Sequence, residues 1–397
     1  MDFTPAPAQD ELAGLARQIL TDLVTPDRLR GLDGSDTRFD RAVWAELAKA
    51  GVLAAGLPEA AGGAGLGLLE QCSVLVEVGR TVAPVPYLAS IVLGASAVAT
   101  FGTAEQCRRW AVPAGQGDLI LAAALAEDGS DDPAGPATTG RETHGGWLLA
   151  GTKTNVVAGT TADLLLVPAS TPGGVGVFVV APDEPGVSIQ VQRVTGGDGT
   201  AQVTLADAFV PADRRLSDLG STAASWLADR GTVGLCALQL GVTERALELT
   251  AAYARSREQF GKPIGSFQAV SQRLADGYVD VEGIRLTLWQ AAWRLAEGLP
   301  AGTELATAKF WAAEGGHRVA HTAVHVHGGV GIDTDGDVHR YYVAATFNEF
   351  ALGGATAQLR RIGAALAAGC PAGVAVSTPR AAGRSRRSRR SVARRAR

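Results

Sequence analysis

The hydrophobic period of this chain changes twice, and that change limits what it can fold into more than any other feature. In the first part, Leu12, Leu15, Ile19 and Leu23 recur at spacings of three and four, and so do Trp44, Leu47, Ala48 and Val52. Such spacing marks one face of a helix. Between residues 118 and 217 the pattern shortens to β-rich runs at 147–151, 162–167, 174–180, 187–191 and 201–205, separated by Gly, Pro and Asp. Short runs broken at intervals of about ten residues predict a small β domain. The helical period then returns, and Phe267, Val270, Leu274, Tyr278, Val281, Ile284 and Leu288 form one stripe, the buried or interhelix face of a long helix in a bundle. The expected fold is therefore α+β and multidomain. It comprises an N-terminal all-α domain (1–117), a middle β domain (118–217), a C-terminal helical bundle (218–370) and an Arg-rich tail (371–397) with no apolar period. Helix, sheet, helix is an unusual order that favours an enzyme over a binding module.

Charge narrows the function classes. The chain of 397 residues has a net charge of −4, but residues 371–397 hold nine Arg and no acid. Without them 27 basic residues face 40 acidic ones, a net of 27 − 40 = −13. An acidic body opposes a nucleic-acid role for the Ser-Arg tail, so no nucleic-acid partner is expected. Only Lys49, Lys153, Lys262 and Lys309 are lysines, a bias that reads as GC-rich coding. Cys72, Cys107, Cys236 and Cys370 are far apart, which fits a reducing cytoplasm better than a disulfide or metal framework. The N-terminus shows no signal-peptide pattern. Residues 81–104 carry no charge, yet Pro84, Pro86 and the small polar residues favour a core helix over a membrane span.

Two further patterns imitate sites. The Gly-rich stretch 58–67 resembles a dinucleotide fingerprint, but a helix precedes it where that fingerprint needs a strand, so a tight loop is expected. His317, His321 and His325 stand at i, i+4, i+8. The spacing can hold zinc, but a helix face leading into a Gly-Gly turn is the preferred reading, and no metal is expected.

Residues 253–264 (YARSREQFGKPI), followed by Phe267-Gln268 and 272–276 (QRLAD), resemble the signature of acyl-CoA dehydrogenases. Further matches are 324–332 (VHVHGGVGI), Trp44, Leu47 and Gly51 with 57–59 (LPE) and Gly62-Gly63, and 151–153 (GTK). The resemblance spans about residues 5–368. It implies a helical domain, a β-barrel-like middle domain and a four-helix bundle, in dimers or tetramers, with FAD as cofactor and an electron-transfer flavoprotein as acceptor. It also implies α,β-desaturation of an acyl-CoA thioester, in which a carboxylate takes the α-proton and the flavin takes hydride. The cofactor-binding positions it assigns are Arg257, Gln259, Phe260, Ile264, Gln268, His325, Gly328, Gly329, Thr356 and Gln358. Arg257 offers a permanently charged fork for a pyrophosphate held mainly by the neighbouring subunit.

The departures from the family pattern are equally specific. The family's base is the Glu of an aromatic-Glu-Gly-Thr segment; the matching stretch here is 352–361 (LGGATAQLRR), with Gly354 in the Glu position. The second base position used in some members falls near Gly231. Asp229 and Glu349 are the remaining weak candidates, each read first as a structural carboxylate. The family's Glu-Pro-x-x-Gly-Ser-Asp loop survives only as 127–133 (EDGSDDP), and its Ile-Thr-Asn stretch as 156–158 (VVA). Positions that reach a partner's flavin are kept, while those that hold the subunit's own are altered. This resembles the base-lacking partner subunit of actinobacterial heteromeric acyl-CoA dehydrogenases, several of which act on steroid side-chain CoA thioesters. The alternative is an autonomous homo-oligomeric dehydrogenase with a displaced base.

Overall fold

The computed structural model describes residues 3–369, apart from 131, 197, 198, 217 and 221; the Arg-rich tail and Cys370 lie outside them. Helix α1 (Pro7–Leu23) opens on a proline, whose missing N–H costs nothing in a first turn. It buries Leu12, Ala16 and Leu20, while Leu15 faces outward. The buried face is thus the strict i, i+4 row, turned slightly from the expected stripe. Helix α2 (Leu68–Thr81) is buried along nearly its whole length. The uncharged run after it is core, with Tyr87–Ala95 in a π-helical coil that continues into Ser96–Phe101. Among the described residues no helix is long and apolar enough to cross a membrane. In the Gly-rich stretch, Glu59–Ala61 form a 3-10 turn, and the chain enters α2 at Leu68 with no strand before it.

The middle of the chain forms strands β1 (Leu121–Ala123), β2 (Thr139–Thr143), β3 (Gly146–Val156), β4 (Leu164–Thr171), β5 (Gly174–Val180), β6 (Val187–Val191) and β7 (Ala201–Pro211). They pair in the order β1-β4-β2-β3-β7-β6, and β5 pairs with β4. Trp147, Leu149, Phe178 and Val203 fill a core of their own inside this curled sheet.

The C-terminal bundle comprises α3 (Ala223–Ser256), α4 (Gln268–Ala296), α5 (Gly302–His327), α6 (Val338–Phe350) and α7 (Ala355–Gly369). Helices α2 and α3 cross at backbone contact. A Cβ at Gly79 would lie 2.2 Å from the Leu238 carbonyl oxygen, and one at Gly241 1.9 Å from that of Val76. Bare backbones at this crossing are what permit it. One interior therefore runs from Leu12 and Trp44 through Leu75 and Cys236 to Ile284 and Leu305. The two helical parts, read separately in the sequence, share a core, and the sheet sits between them in the chain.

The α4 stripe divides in two. Val281, Ile284 and Leu288 are buried, but Tyr278 faces outward, as does its neighbour Val279, which lies outside the stripe. In the first half of this helix Gly277 and Asp280 are buried against the bundle, while most other side chains are exposed.

Candidate functional site

Two cavities meet where α3 passes the turn between α6 and α7. The first holds about 400 Å3 and is lined by Leu93, Leu125, Val157, Gly231, Phe347 and Phe350. It continues at Leu88, Leu235 and Phe347 into a narrower space of about 120 Å3. None of the described residues lining the larger cavity is ionisable. The second space is a cleft of about 600 Å3, lined by Asp229, Thr232, Arg294, Glu304, Gln358 and Arg361. Leu352 borders both. Helix α3 divides its side chains between them: Asp229 and Thr232 face the cleft, and Gly231 and Leu235 the apolar cavity.

The turn at the junction is held from both sides. Lys309, fully buried on α5, donates from Nζ to the carbonyls of Asn348 (2.9 Å) and Glu349 (3.0 Å). A cation on the last carbonyls of α6 satisfies groups that the helix leaves open and complements its dipole. Asn348 Nδ2 in turn donates to Gln239 Oε1 at 3.0 Å. From the other side, buried Gln358 donates Nε2 to the carbonyls of Gly353 (2.9 Å) and Leu352 (3.3 Å).

The carboxylates considered from sequence fall away from the apolar cavity. Glu349 Oε2 lies 3.0 Å from His317 Nδ1, so this side chain belongs to the α5–α6 contact. Asp229 lies in the cleft; burial raises its carboxyl above the usual range, with Arg230 and Arg361 opposing. The turn presents Leu352, not Gly354, to both cavities; a Cβ at Gly354 would meet only the Glu349 carbonyl oxygen and Phe350 Cδ1, at ordinary distances. Gln358, assigned to the cofactor by resemblance, is fully buried with its amide committed to the turn, whereas Thr356 is exposed.

The other assigned positions lie at the exposed end of the bundle. Arg257 caps α3 at its C-terminus and is exposed; Gln259 pairs with Lys262 in a two-stranded turn. Phe260 is 93% exposed, at a φ of 53°. Its ring meets Phe267 edge-on at 6.1 Å, and Lys262 Nζ stands 4.5 Å from the Phe267 ring centre. Ile264 is half-buried and Gln268 exposed. At the end of α5, His325, Gly328 and Gly329 are exposed beside exposed Val330 and Ile332. A cationic fork, apolar side chains and unobstructed glycine backbone thus share an outward-facing edge.

In the β domain, the altered acidic loop is anchored by its first residue. Glu127 accepts from Lys153 Nζ (2.7 Å) and from the N–H groups of Thr138 (2.9 Å) and Ala137. Burial alone would raise its carboxyl, but these donors hold it down at about 2. The Lys153 ammonium is fully buried, and burial lowers its affinity for the proton despite Glu127. Val157 lines the apolar cavity, where the family pattern carries a hydroxyl.

The histidine row separates. The His317 and His321 rings lie tilted against each other at 4.2 Å, and His321 meets Tyr342 edge-on at 5.3 Å, while His325 is exposed at the helix end. Burial and then His317 push the His321 imidazole below its ordinary range.

Sequence reading missed Leu352 and Lys309. One signal was present for the lysine: in a chain with 36 basic residues, only four are Lys. Two of those four, Lys153 and Lys309, are fully buried. Each occupies a site suited to a compact ammonium in place of a planar guanidinium fork.

Comparison with known proteins identifies the family and the fold. Residues 6–118 match the model of the acyl-CoA dehydrogenase N-terminal domain, and residues 218–367 that of the C-terminal domain. The acyl-CoA dehydrogenase FadE27 of Mycobacterium tuberculosis is 52% identical over 375 residues, covering 92% of this chain and 99% of the relative. The crystal structure of the ChsE4–ChsE5 complex from Mycobacterium tuberculosis matches at 52% identity with a TM-score of 0.90, covering 94% of this chain and 100% of that one. A variant of the Tcur3481–Tcur3483 steroid ACAD matches at 44% identity with a TM-score of 0.86, covering 91% of this chain and 98% of that one.

Proposed function

This chain belongs to the acyl-CoA dehydrogenase family, and on that premise we propose that it is the base-lacking subunit of a heteromeric dehydrogenase. Its role is to complete an FAD site held mainly by a homologous partner. The observation that carries this reading is the junction at Leu352. A thioester with its nucleotide part in the cleft and its acyl part in the cavity would place its reacting carbons beside Leu352 and Gly231, and neither can accept a proton. A base has to lie within hydrogen-bond reach of the proton it removes. Asp229 and Glu349, the displaced bases of an autonomous enzyme, line the cleft and bond His317 respectively.

The cofactor of the family is FAD, which supplies hydride acceptance when bound. Residues of this chain fit it at the outward edge. Arg257 would hold the pyrophosphate as a fork. Phe260 would offer an apolar face, and Gly328 and Gly329, where a Cβ would meet nothing within 4 Å, would admit close backbone approach. The chain's own flavin-facing segment fits less well, since Val157 has no hydroxyl to donate. The substrates this reading favours are CoA thioesters of steroid side chains, a class supported by the similarity to a steroid ACAD. An electron-transfer flavoprotein is the proposed acceptor.

The test is turnover. The chain should be expressed alone and with the dehydrogenase encoded by a neighbouring gene, and acyl-CoA oxidation followed with an artificial electron acceptor. Activity should require both chains and vanish when the partner's base is replaced by Gln. Turnover by this chain alone would support the autonomous alternative instead.

A further inference from the structure

Leu352 is the one side chain of the α6–α7 turn that borders both the polar cleft and the apolar cavity. Its backbone sits at a φ of 55°, a left-handed conformation that a γ-branched residue adopts only when the surroundings impose it. The imposition is visible on both flanks. Lys309 fixes the end of α6, and Gln358 holds the carbonyls of Leu352 and Gly353. The tip of the side chain has a made-to-measure seat on α3. A Cβ added at Gly231 would lie 2.9 Å from Leu352 Cδ1, with Leu125 and Leu93 Cδ1 atoms at 3.7 and 3.8 Å from the same point. Leu352 therefore occupies space that any side chain at 231 would need.

We propose that Leu352 is a fixed plug that separates the cleft from the cavity, so that this subunit's own pocket cannot take the acyl part of a CoA thioester. The inference rests on the reading of the cleft as the place of the CoA part, and it goes beyond the lack of a base. A pocket without a base could still bind substrate unproductively and compete with the partner's site. A plugged pocket cannot. The seat at Gly231 and the held turn make closure a property of the fold and independent of cofactor.

Photolabelling tests this on the full chain, in whatever oligomer it purifies. Two non-oxidisable S-alkyl-CoA thioethers are used, one with a diazirine at the alkyl end and one with a diazirine on the pantetheine, and labelled peptides of this chain are mapped by mass spectrometry. In the wild type, the pantetheine probe should mark the cleft at 225–232 or 300–306, and the alkyl probe should leave the cavity segments 88–93 and 343–351 unmarked. In Leu352→Gly, which suits the left-handed backbone and so should fold, labelling of the cavity segments should rise at least tenfold. Leu352→Ala should give the same result with the backbone preference reversed. Cavity labelling in the wild type, or none in either folded variant, would overturn the plug while leaving the cleft reading intact. If the pantetheine probe marks no cleft peptide in any form, the reading of the cleft fails, and the plug falls with it.

Discussion

Lys153 and Glu127 form a buried pair whose sign sets an acid limit on stability. The Glu127 carboxyl lies at about 2 in the folded chain against an ordinary 4.5. A depressed folded pKa adds stability that is fully present above the unfolded value and is lost as pH falls. Unfolding should therefore become easier between pH 4.5 and 2, and the Glu127→Gln variant should lose part of that dependence in thermal melts. Lys153→Met leaves the carboxylate buried without its cation, at a cost of about 3 kcal/mol, read as a lower midpoint in urea. Adding Glu127→Gln to it should recover part of the loss, since it removes the unpaired buried charge, while its single amide oxygen keeps one of the two N–H donors that Ala137 and Thr138 aim at separate carboxylate oxygens. Lys309→Met should also destabilise, by about 1–3 kcal/mol, because it strips a donor from two carbonyls at the end of α6. Neither lysine was legible as buried from the sequence. The scarcity of Lys singles these residues out, but burial of a single side chain depends on contacts from elements far away in the chain, and no local pattern encodes those.

At the scale of elements, the stripe on α4 shows both the reach and the limit of sequence reading. Its period located the helix, and Val281, Ile284 and Leu288 are buried as a core face should be. The same period continues through Tyr278, which is exposed. A spacing rule cannot tell a face covered by its own chain from one left for another chain. Exposed apolar side chains contiguous on one helix are a mark of association. Val279→Asp should accordingly weaken assembly with the partner, seen as a shift to smaller species in sedimentation, while the thermal midpoint of the isolated chain changes by less than about 0.5 kcal/mol equivalent. The α6–α7 turn was located in the sequence by its resemblance, with Gly354 in the position of the base, but the residue it presents to the cavities is Leu352. The difference of two residues arises because a left-handed turn at Leu352 and Gly353 decides which side chain points inward, and backbone handedness at a leucine carries no sequence signature.

For the whole molecule, the order helix, sheet, helix was legible because each part keeps its own hydrophobic period over many residues. The continuity of the two helical parts was not, since Gly79 and Gly241 bring α2 and α3 together across more than a hundred residues of intervening chain. The acidic body that opposes nucleic-acid binding is the described fold; the basic tail lies beyond it. In the proposed heteromer two chains share one site, with Arg257 and the outward edge of this chain serving a flavin held by the partner. The most direct measurement is the flavin content of the purified heteromer. It should hold about one FAD for every two chains, fall severalfold in Arg257→Ala with the fold of both chains intact, and be near zero for this chain alone. One FAD on every chain, or stoichiometric flavin on this chain without a partner, would contradict it.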